Sequence, residues 1–296
     1  MKKSGIKLLV GALLITLIGG TMVGCGSGST DTASDDGGQT SLTLSGSSAL
    51  LPLVEATIDG FKQDNSQYDI NAQAGGSGTG LTQVSGGSVD VGNSDIFANE
   101  KLDDSAAKEL TDNKVVVCGF SVAVSKDLGV KNLTKDQIKS IFSGKVTNWK
   151  DVGGPDKAIF VVHRPASSGT RATFTTTLLD KDKTLEKDAI GATQDSNGAV
   201  LTAMTQNEGS ISYLAFSYMT TDDAKSKITG VSIDGVEPTK DNITTGKYPF
   251  WSWEHMYTKG ETKGLAKKFI DYLTSDKNKD NIEKLGFISS SEMKVK

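Results

Sequence analysis

Histidine is almost missing from this chain: His163 and His255 are the only two in 296 residues. A histidine-rich metal site is thereby excluded, and no metal-ligand spacing of cysteine and histidine occurs. Cysteine is equally scarce, with only Cys25 and Cys118. Cys118 lies in the apolar run Val115-Val116-Val117-Cys118-Gly119-Phe120, where a small buried hydrophobe is favoured over a reactive thiol. A Walker motif is absent too. Gly144-Lys145 is followed by Val146 and lacks both the Ser/Thr and the upstream glycine that a nucleotide phosphate would need. No cofactor and no metal are implied. Nor is there an excess of positive charge. Without the three lysines of the first 24 residues, 29 basic residues face 36 acidic ones. That argues against binding nucleic acid or an acidic membrane through a basic face. It leaves open a small anion held by local hydrogen-bond donors.

What the N-terminus does contain is an address. Lys2, Lys3 and Lys7 precede an apolar run over residues 8–18, long enough for a signal-peptide core and too short for a membrane span. The run ends in Thr21-Met22-Val23-Gly24-Cys25. A small residue followed by cysteine at that point resembles a bacterial lipobox. An ordinary secretory signal with an incidental cysteine is the competing reading, but Gly24-Cys25 falls where the apolar run stops. Residues 1–24 are thus expected to be a lipoprotein signal peptide, with lipid on Cys25 anchoring the chain to a membrane without spanning it. Residues 25–40 hold no large apolar residue after Cys25 and read as a flexible tether. The remaining body is large enough for two domains.

Along that body, short β-branched runs alternate with longer helical patterns. Strands are expected at residues 41–44, 68–74, 89–92, 115–125, 159–163, 211–213 and 228–233. Helices are expected at 51–64, 80–85, 134–142, 169–179, 264–273 and 277–285. Thr134 with Gln137 three residues on is a capping-box pattern. The alternation predicts an α/β fold with largely parallel sheets.

Three turns share one chemistry. Ser45-Gly46-Ser47-Ser48-Ala49-Leu50-Leu51-Pro52, Gly75-Gly76-Ser77-Gly78-Thr79-Gly80 and Arg164-Pro165-Ala166-Ser167-Ser168-Gly169-Thr170-Arg171 each lie between an expected strand and an expected helix. Helix N-termini offer unpaired N–H groups and the positive end of the macrodipole; glycine lets backbone approach a ligand, and hydroxyls add donors. One such turn is usually only a helix cap. Three in one chain, at the strand ends where α/β folds bind ligands, point to a small oxyanion. Arg164 suits bidentate capture of it. Asp95, in Val91-Gly92-Asn93-Ser94-Asp95, would repel a bare anion but could accept a proton from phosphate, which sulfate does not carry.

With those residues in hand, the sequence resembles the phosphate-binding protein of the phosphate-specific ABC transporter. Gly46-Ser47-Ser48, Gly76-Ser77-Gly78-Thr79-Gly80, Asn93-Ser94-Asp95 and Ser168-Gly169-Thr170-Arg171 carry the likeness. So do the stretch from Leu133 to Trp149, Gly209-Ser210-Ile211-Ser212-Tyr213 and Tyr257-Thr258-Lys259-Gly260. The resemblance implies a two-lobed periplasmic-binding-protein (Venus-flytrap) fold with two hinge crossings, near residues 118–122 and 248–257. Lobe one would comprise residues 41–119 plus 248–296, and lobe two residues 120–247. It implies no enzyme activity and a phosphate site made by Ser47, Ser48, Ala49, Leu50, Ser77, Asp95, Arg164, Ser168, Gly169 and Thr170. The implied partners are inorganic phosphate and membrane permease subunits driven by a cytosolic ATPase. A monomer on the extracytoplasmic face of the cell membrane is expected.

This sequence departs from the family pattern at Ala166, where an acidic residue often steadies the arginine, so Arg164 is expected to lean on Asp95 or another acid. Leu50 and Leu51 stand where some relatives place a hydroxyl and an aromatic, which leaves amides as the contacts there. Phe250-Trp251-Ser252-Trp253-Glu254-His255 is also unlike the usual form and reads as buried hinge packing. The rival readings are a receptor for sulfate, molybdate or tungstate, a sensor or adhesion lipoprotein on the same fold, and a secreted serine hydrolase. For the last, Ser77 does not sit in G-x-S-x-G and has no evident base.

Overall fold

The computed structural model describes residues 38–295. The signal segment, Cys25 and most of the expected tether lie outside the described residues. Along the chain, β1 (Ser41–Gly46) leads to α1 (Leu51–Asp64) and β2 (Asp69–Ala74) to α2 (Ser77–Ser85). Next come β3 (Val91–Ser94), α3 (Asp104–Lys108), β4 (Leu110–Ser125), β5 (Asn132–Leu133) and α4 (Lys135–Phe142). β6 (Phe160–His163), α5 (Gly169–Leu178), β7 (Ala192–Thr193), α6 (Asn197–Gln206) and β8 (Ser210–Ala215) follow. α7 (Phe216–Met219), α8 (Asp222–Lys227), β9 (Ile228–Gly230), β10 (Ser232–Ile233) and α9 (Lys240–Thr244) precede β11 (Trp251–Lys259). α10 (Gly264–Thr274), α11 (Lys279–Lys284) and β12 (Phe287–Ser289) close the chain.

Local sequence explains most of these elements. α1 takes Pro52 in its first turn and buries Leu53, Val54, Thr57 and Phe61 on one stripe. Phe61 meets Phe269 and Tyr272 of α10 edge-on, at ring separations of 5.7 and 5.5 Å. Burying one such ring contributes about 2–3 kcal/mol. Thr134 and Gln137 form the expected capping box on α4. Trp149 is fully buried, with its Nε1 donating to Gly209 O at 2.8 Å, so the indole's polar atom is not left unpaired. No helix among the described residues is long and apolar enough to cross a membrane.

The strands join into a ten-stranded sheet in the order β2-β1-β3-β11-β4-β8-β6-β7, with β9 and β12 also on β4. The outer strands are parallel: β1 with β2 and β3, and β6 with β7 and β8. The centre is not. β11 is antiparallel to both β3 and β4, and β4 is antiparallel to β8, which corrects the expectation of largely parallel sheets. β4 is the spine. Residues 110–119 pair with β11, and pairing with β8 begins at Phe120 opposite Ala215. Its run of valines is buried on both faces from Val115 onward, as a central strand requires.

Three further differences have local causes. The stretch expected as one strand at 228–233 divides, because β9 pairs with β4 while β10 pairs with β5. α2 begins at Ser77, earlier than the apolar pattern suggested, because the glycine–hydroxyl turn itself supplies its first turn. Residues 251–259 form a central strand where the sequence pattern marked only buried packing over 250–255. Trp251 and Trp253 alternate with Ser252 and line a cleft of about 310 Å³ with Phe97, Lys114 and His255. Lys114 Nζ lies 4.9 Å from the Trp253 ring, a cation–π distance.

Candidate functional site

The three turns converge, as their shared chemistry suggested. The turns that follow β1, β2 and β6 and open α1, α2 and α5 meet through Arg164–Ser48 and Gly78–Ser167 hydrogen bonds, although β6 lies far from β1 and β2 in the sheet, and the predicted ligands are shut away from water. Ser77 is fully buried, Ser47, Arg164 and Thr170 are 1% exposed, and Asp95 is 4% exposed.

On the β1 side, Ser47 Oγ accepts from the amides of Ala49 and Leu50, both at 3.1 Å. Those two amides therefore serve the turn itself here. The Ser48 hydroxyl turns the other way. It accepts from Arg164 Nη2 at 3.3 Å and from Asn197 N and Nδ2 at 3.1 and 3.0 Å. At the end of β3, Asp95 is fixed three times. Its amide donates to Ser77 Oγ at 2.9 Å, its Oδ1 accepts from Ser77 Oγ at 3.1 Å, and its Oδ2 accepts from Thr170 Oγ1 at 2.9 Å. A carboxylate has about four acceptor positions, so Asp95 retains capacity for another donor.

On the β6 side, Ser168 caps α5 by accepting from Arg171 N at 3.1 Å. That leaves the first amides of the helix, on Gly169 and Thr170, at the dipole's positive end. Only glycine fits at 169, because a Cβ there would collide with Ser77 Oγ and stand 2.9 Å from Asp95 Cβ. Gly76 (φ +83°) is constrained likewise: its Cβ would stand 2.7 Å from Ser167 O. That close approach lets Gly78 N donate to Ser167 O at 2.9 Å.

Arg164 does not lean on an acid. Its Nε donates to Gln194 O at 3.1 Å and its Nη2 to Asp195 O at 2.9 Å. Two backbone carbonyls thus replace the acidic residue that Ala166 does not supply, which corrects the expectation of a carboxylate partner. Burial is the main influence on the guanidinium and pulls its pKa below the ordinary value; Tyr213 and Asp95 oppose that. Its Nη1 is buried without a hydrogen-bond partner among the described residues. Arg171, in the first turn of α5, steadies the loop by donating to Arg164 O at 2.6 Å.

Two buried residues packed against these ligands escaped the sequence reading. Asn197 is fully buried and ties Ser48 to Thr170 (3.4 Å) and, through its Oδ1, to Ala215 N at 3.0 Å. Its signal was present: Asp195-Ser196-Asn197-Gly198, after β7 and opening α6, is a fourth turn of the same composition. Glu254 is the other, fully buried on β11. Nothing in its sequence neighbourhood brings it to Asp95; only the β3–β11 pairing does. Cys118 is buried as expected, and burial, with Glu254 and Asp95 nearby, pushes its thiol well above the ordinary range, so it is not a ready nucleophile.

The PBP superfamily domain model matches residues 31–277. The phosphate-binding protein PstS of Bacillus subtilis is 51% identical over 256 residues, covering 86% of this chain and 82% of that protein. PstS of Staphylococcus saprophyticus is 30% identical, covering 93% and 88%. Among solved structures, a phosphate ABC transporter substrate-binding protein from Clostridium perfringens, with phosphate bound, superimposes with a TM-score of 0.73 at 29% identity, covering 84% of this chain and 99% of that one. An ABC-type phosphate transport receptor from Vibrio cholerae gives a TM-score of 0.65 at 25% identity, covering 83% and 99%. By the span of the superfamily match and the identity to its relatives, this chain belongs to the PBP superfamily, in its PstS family of phosphate-binding proteins, and has that superfamily's two-lobed α/β fold.

Proposed function

We propose that the chain is an extracytoplasmic receptor that captures inorganic phosphate between its lobes and delivers it to an ABC permease. The observation that carries this reading is the pairing of opposites in one buried site. Arg164 offers an unpartnered Nη1, and Asp95 offers an acceptor held by Ser77 and Thr170. An anion that still carries a proton satisfies both; a fully ionised anion satisfies the arginine and meets repulsion at the aspartate. Ser47, Ser48, Ser77, Ser168 and the amides of Ala49, Leu50, Gly169 and Thr170 complete the donor set. Ala49 and Leu50 would have to exchange Ser47 Oγ for the ligand.

In this reading lobe one is residues 41–119 plus 248–296 and lobe two residues 120–247. The change of β4 partner between Gly119 and Phe120 supports the first crossing, and the pairing of β11 from Trp251 supports the second. Thr170–Asp95, Ser48–Asn197 and Gly78–Ser167 would then be bonds across the cleft. Phosphate would favour that closed arrangement to the extent that it binds it better than the open one. The permease would read the closed shape and a cytosolic ATPase would supply the energy. A monomer tethered by lipid on Cys25 fits the signal-like N-terminus. A hydrolase is disfavoured because neither histidine attends Ser77: His163 Nδ1 bonds Glu186 and His255 Nδ1 bonds Asp112.

Calorimetry on the chain purified free of phosphate tests the proposal, with phosphate, sulfate and molybdate titrated separately. One-to-one binding of phosphate with rejection of the other two is expected. Heat from sulfate or molybdate alone would reassign the receptor, and no heat from any of the three would overturn it.

A further inference from the structure

Glu254 has no role in the phosphate site drawn above, yet it lies at the base of it. β11 pairs His255 with Ser94, so the next residue along, Glu254, comes beside Asp95. Across the other edge it pairs with Val116 of β4. The side chain is fully buried, and neither carboxyl oxygen makes a well-formed hydrogen bond. They lie against Ser47, Asp95 and Cys118, three groups from three different segments, and none of them is a cation. α2, packed on the same strand, carries no ionisable residue. The charged residues of β4 are engaged elsewhere: Asp112 with His255, and Lys114 over the Phe97 and Trp253 rings.

Two carboxyls facing one another in a dry site cannot both ionise at modest cost. Asp95 has two hydroxyl donors and has Arg164 among the charges acting with it. Glu254 has no such support. Burial first, then the Asp95 charge, pushes its carboxyl well above the usual range. The proton shared by the pair therefore belongs mainly on Glu254.

We propose that Glu254 is a positioning residue for ligand selection: as a neutral acid it donates its proton toward Asp95 and so keeps Asp95 an acceptor for a proton carried by the ligand. This rests on the phosphate reading above and adds its selectivity device. If Glu254 were a bare carboxylate, its charge would repel the anion. If it were apolar, Asp95 would lose the donor that holds it in place as an acceptor, and its discrimination against sulfate would weaken.

The test uses the full chain and the variants Glu254→Gln and Glu254→Ala. An infrared carbonyl band of a protonated carboxylic acid is expected in the wild type at neutral pH and should vanish in Glu254→Gln, with no ligand needed. Stability supplies a second ligand-free readout. A raised carboxyl pKa means that the folded state holds a proton the unfolded state loses above about pH 4.3. The wild type therefore loses stability relative to Glu254→Gln as pH climbs from about 4.3 toward the raised value, and the two converge at lower pH. In calorimetry, Glu254→Gln, still a donor, should keep phosphate affinity within about three-fold and keep rejecting sulfate. Glu254→Ala should lower the phosphate-to-sulfate affinity ratio about ten-fold at pH 6. No carbonyl band, or a stability difference flat with pH, would show Glu254 ionised and overturn the proposal. An unchanged ratio in a folded Glu254→Ala would overturn the positioning role alone. A wild type that fails to bind phosphate would overturn the selectivity claim through the function beneath it, while the carbonyl band still reported the proton.

Discussion

Two clusters of buried charge flank the start of α5, and they are built on opposite rules. Around Glu186 every charge has its partner. Oε1 accepts from Tyr213 OH at 2.7 Å and bonds His163 Nδ1 at 2.9 Å, and Oε2 pairs with Arg171 Nε at 3.1 Å. Arg171 adds Asp188 at 2.7 Å, and the Phe174 and Tyr213 rings stack over the cluster with centroids 4.3 Å apart. Two atoms here lack a hydrogen bond, His163 Nε2 and Glu186 Oε2, and the second still faces the Arg171 guanidinium. Around Asp95 the balance differs: among the described residues Arg164 Nη1 and both Glu254 oxygens are buried with no hydrogen bond, and no ion pair faces them. Unpaired buried polar atoms are costly, so a folded protein carries a group of them only where something other than stability selects them. In the proposed reading, the charge-paired cluster is the mount and the unpaired one is the phosphate site.

That contrast breaks most easily at Glu186. Glu186→Ala strands Arg171, His163 and Tyr213 together, and the cost of breaking a buried ion pair is about 3–5 kcal/mol of stability. Denaturant unfolding should show that loss. Phosphate affinity in the surviving folded fraction should fall far less, because Arg171 can still donate to Arg164 O. Arg164→Ala should do the opposite. Phosphate binding should weaken about 100-fold or more, as truncating a buried charge at an interface does. The unfolding midpoint should stay close to the wild type, since a partly unpaired guanidinium leaves the core. If Arg164→Ala unfolds the protein and Glu186→Ala abolishes binding without unfolding it, the assignment of mount and site is reversed.

A subtler test separates charge from shape. Asp95→Asn keeps an acceptor for only one of Ser77 and Thr170, which now donate to separate oxygens, and puts an amide donor in place of the other. Phosphate should lose about ten-fold, and sulfate, rejected by the wild type, should begin to bind. Calorimetry with both anions at one pH reads the two changes together.

Much of this arrangement was legible before any coordinates. The glycine–hydroxyl turns announce themselves because helix N-termini have a fixed chemical need, and Thr134 with Gln137 names its own cap. Ser47, Ser77, Arg164 and Ser168 all fall in such turns. What sequence could not show is what tertiary pairing alone creates. Glu254 sits in an aromatic run with no local signature, and reaches Asp95 only because β11 inserts antiparallel between β3 and β4. The antiparallel centre itself was hidden, because a continuous apolar strand such as 115–125 reads the same in either direction. Arg164 found backbone carbonyls rather than an acid, and carbonyls carry no sequence signal.

Asn197 lies between these extremes, and it yields the smallest predicted effect. Its turn had the right composition, yet its importance depends on reach. One amide side chain touches Ser48, Thr170 and Ala215. If Ser48 belongs to one lobe and Asn197 to the other, the bond between them is made only on closure. Asn197→Ala then removes a contact of the closed state and leaves the open state's ligands in place. The expected loss in phosphate affinity is about five-fold, the scale of one neutral hydrogen bond. It should appear in the dissociation rate, with association nearly unchanged, as contacts completed after encounter do. Stopped-flow measurement on a fluorescently labelled chain would resolve the two rates. An equal fall in association instead would mean that Asn197 shapes the open site, and that the mount extends further toward the ligand than the Glu186 cluster alone suggests.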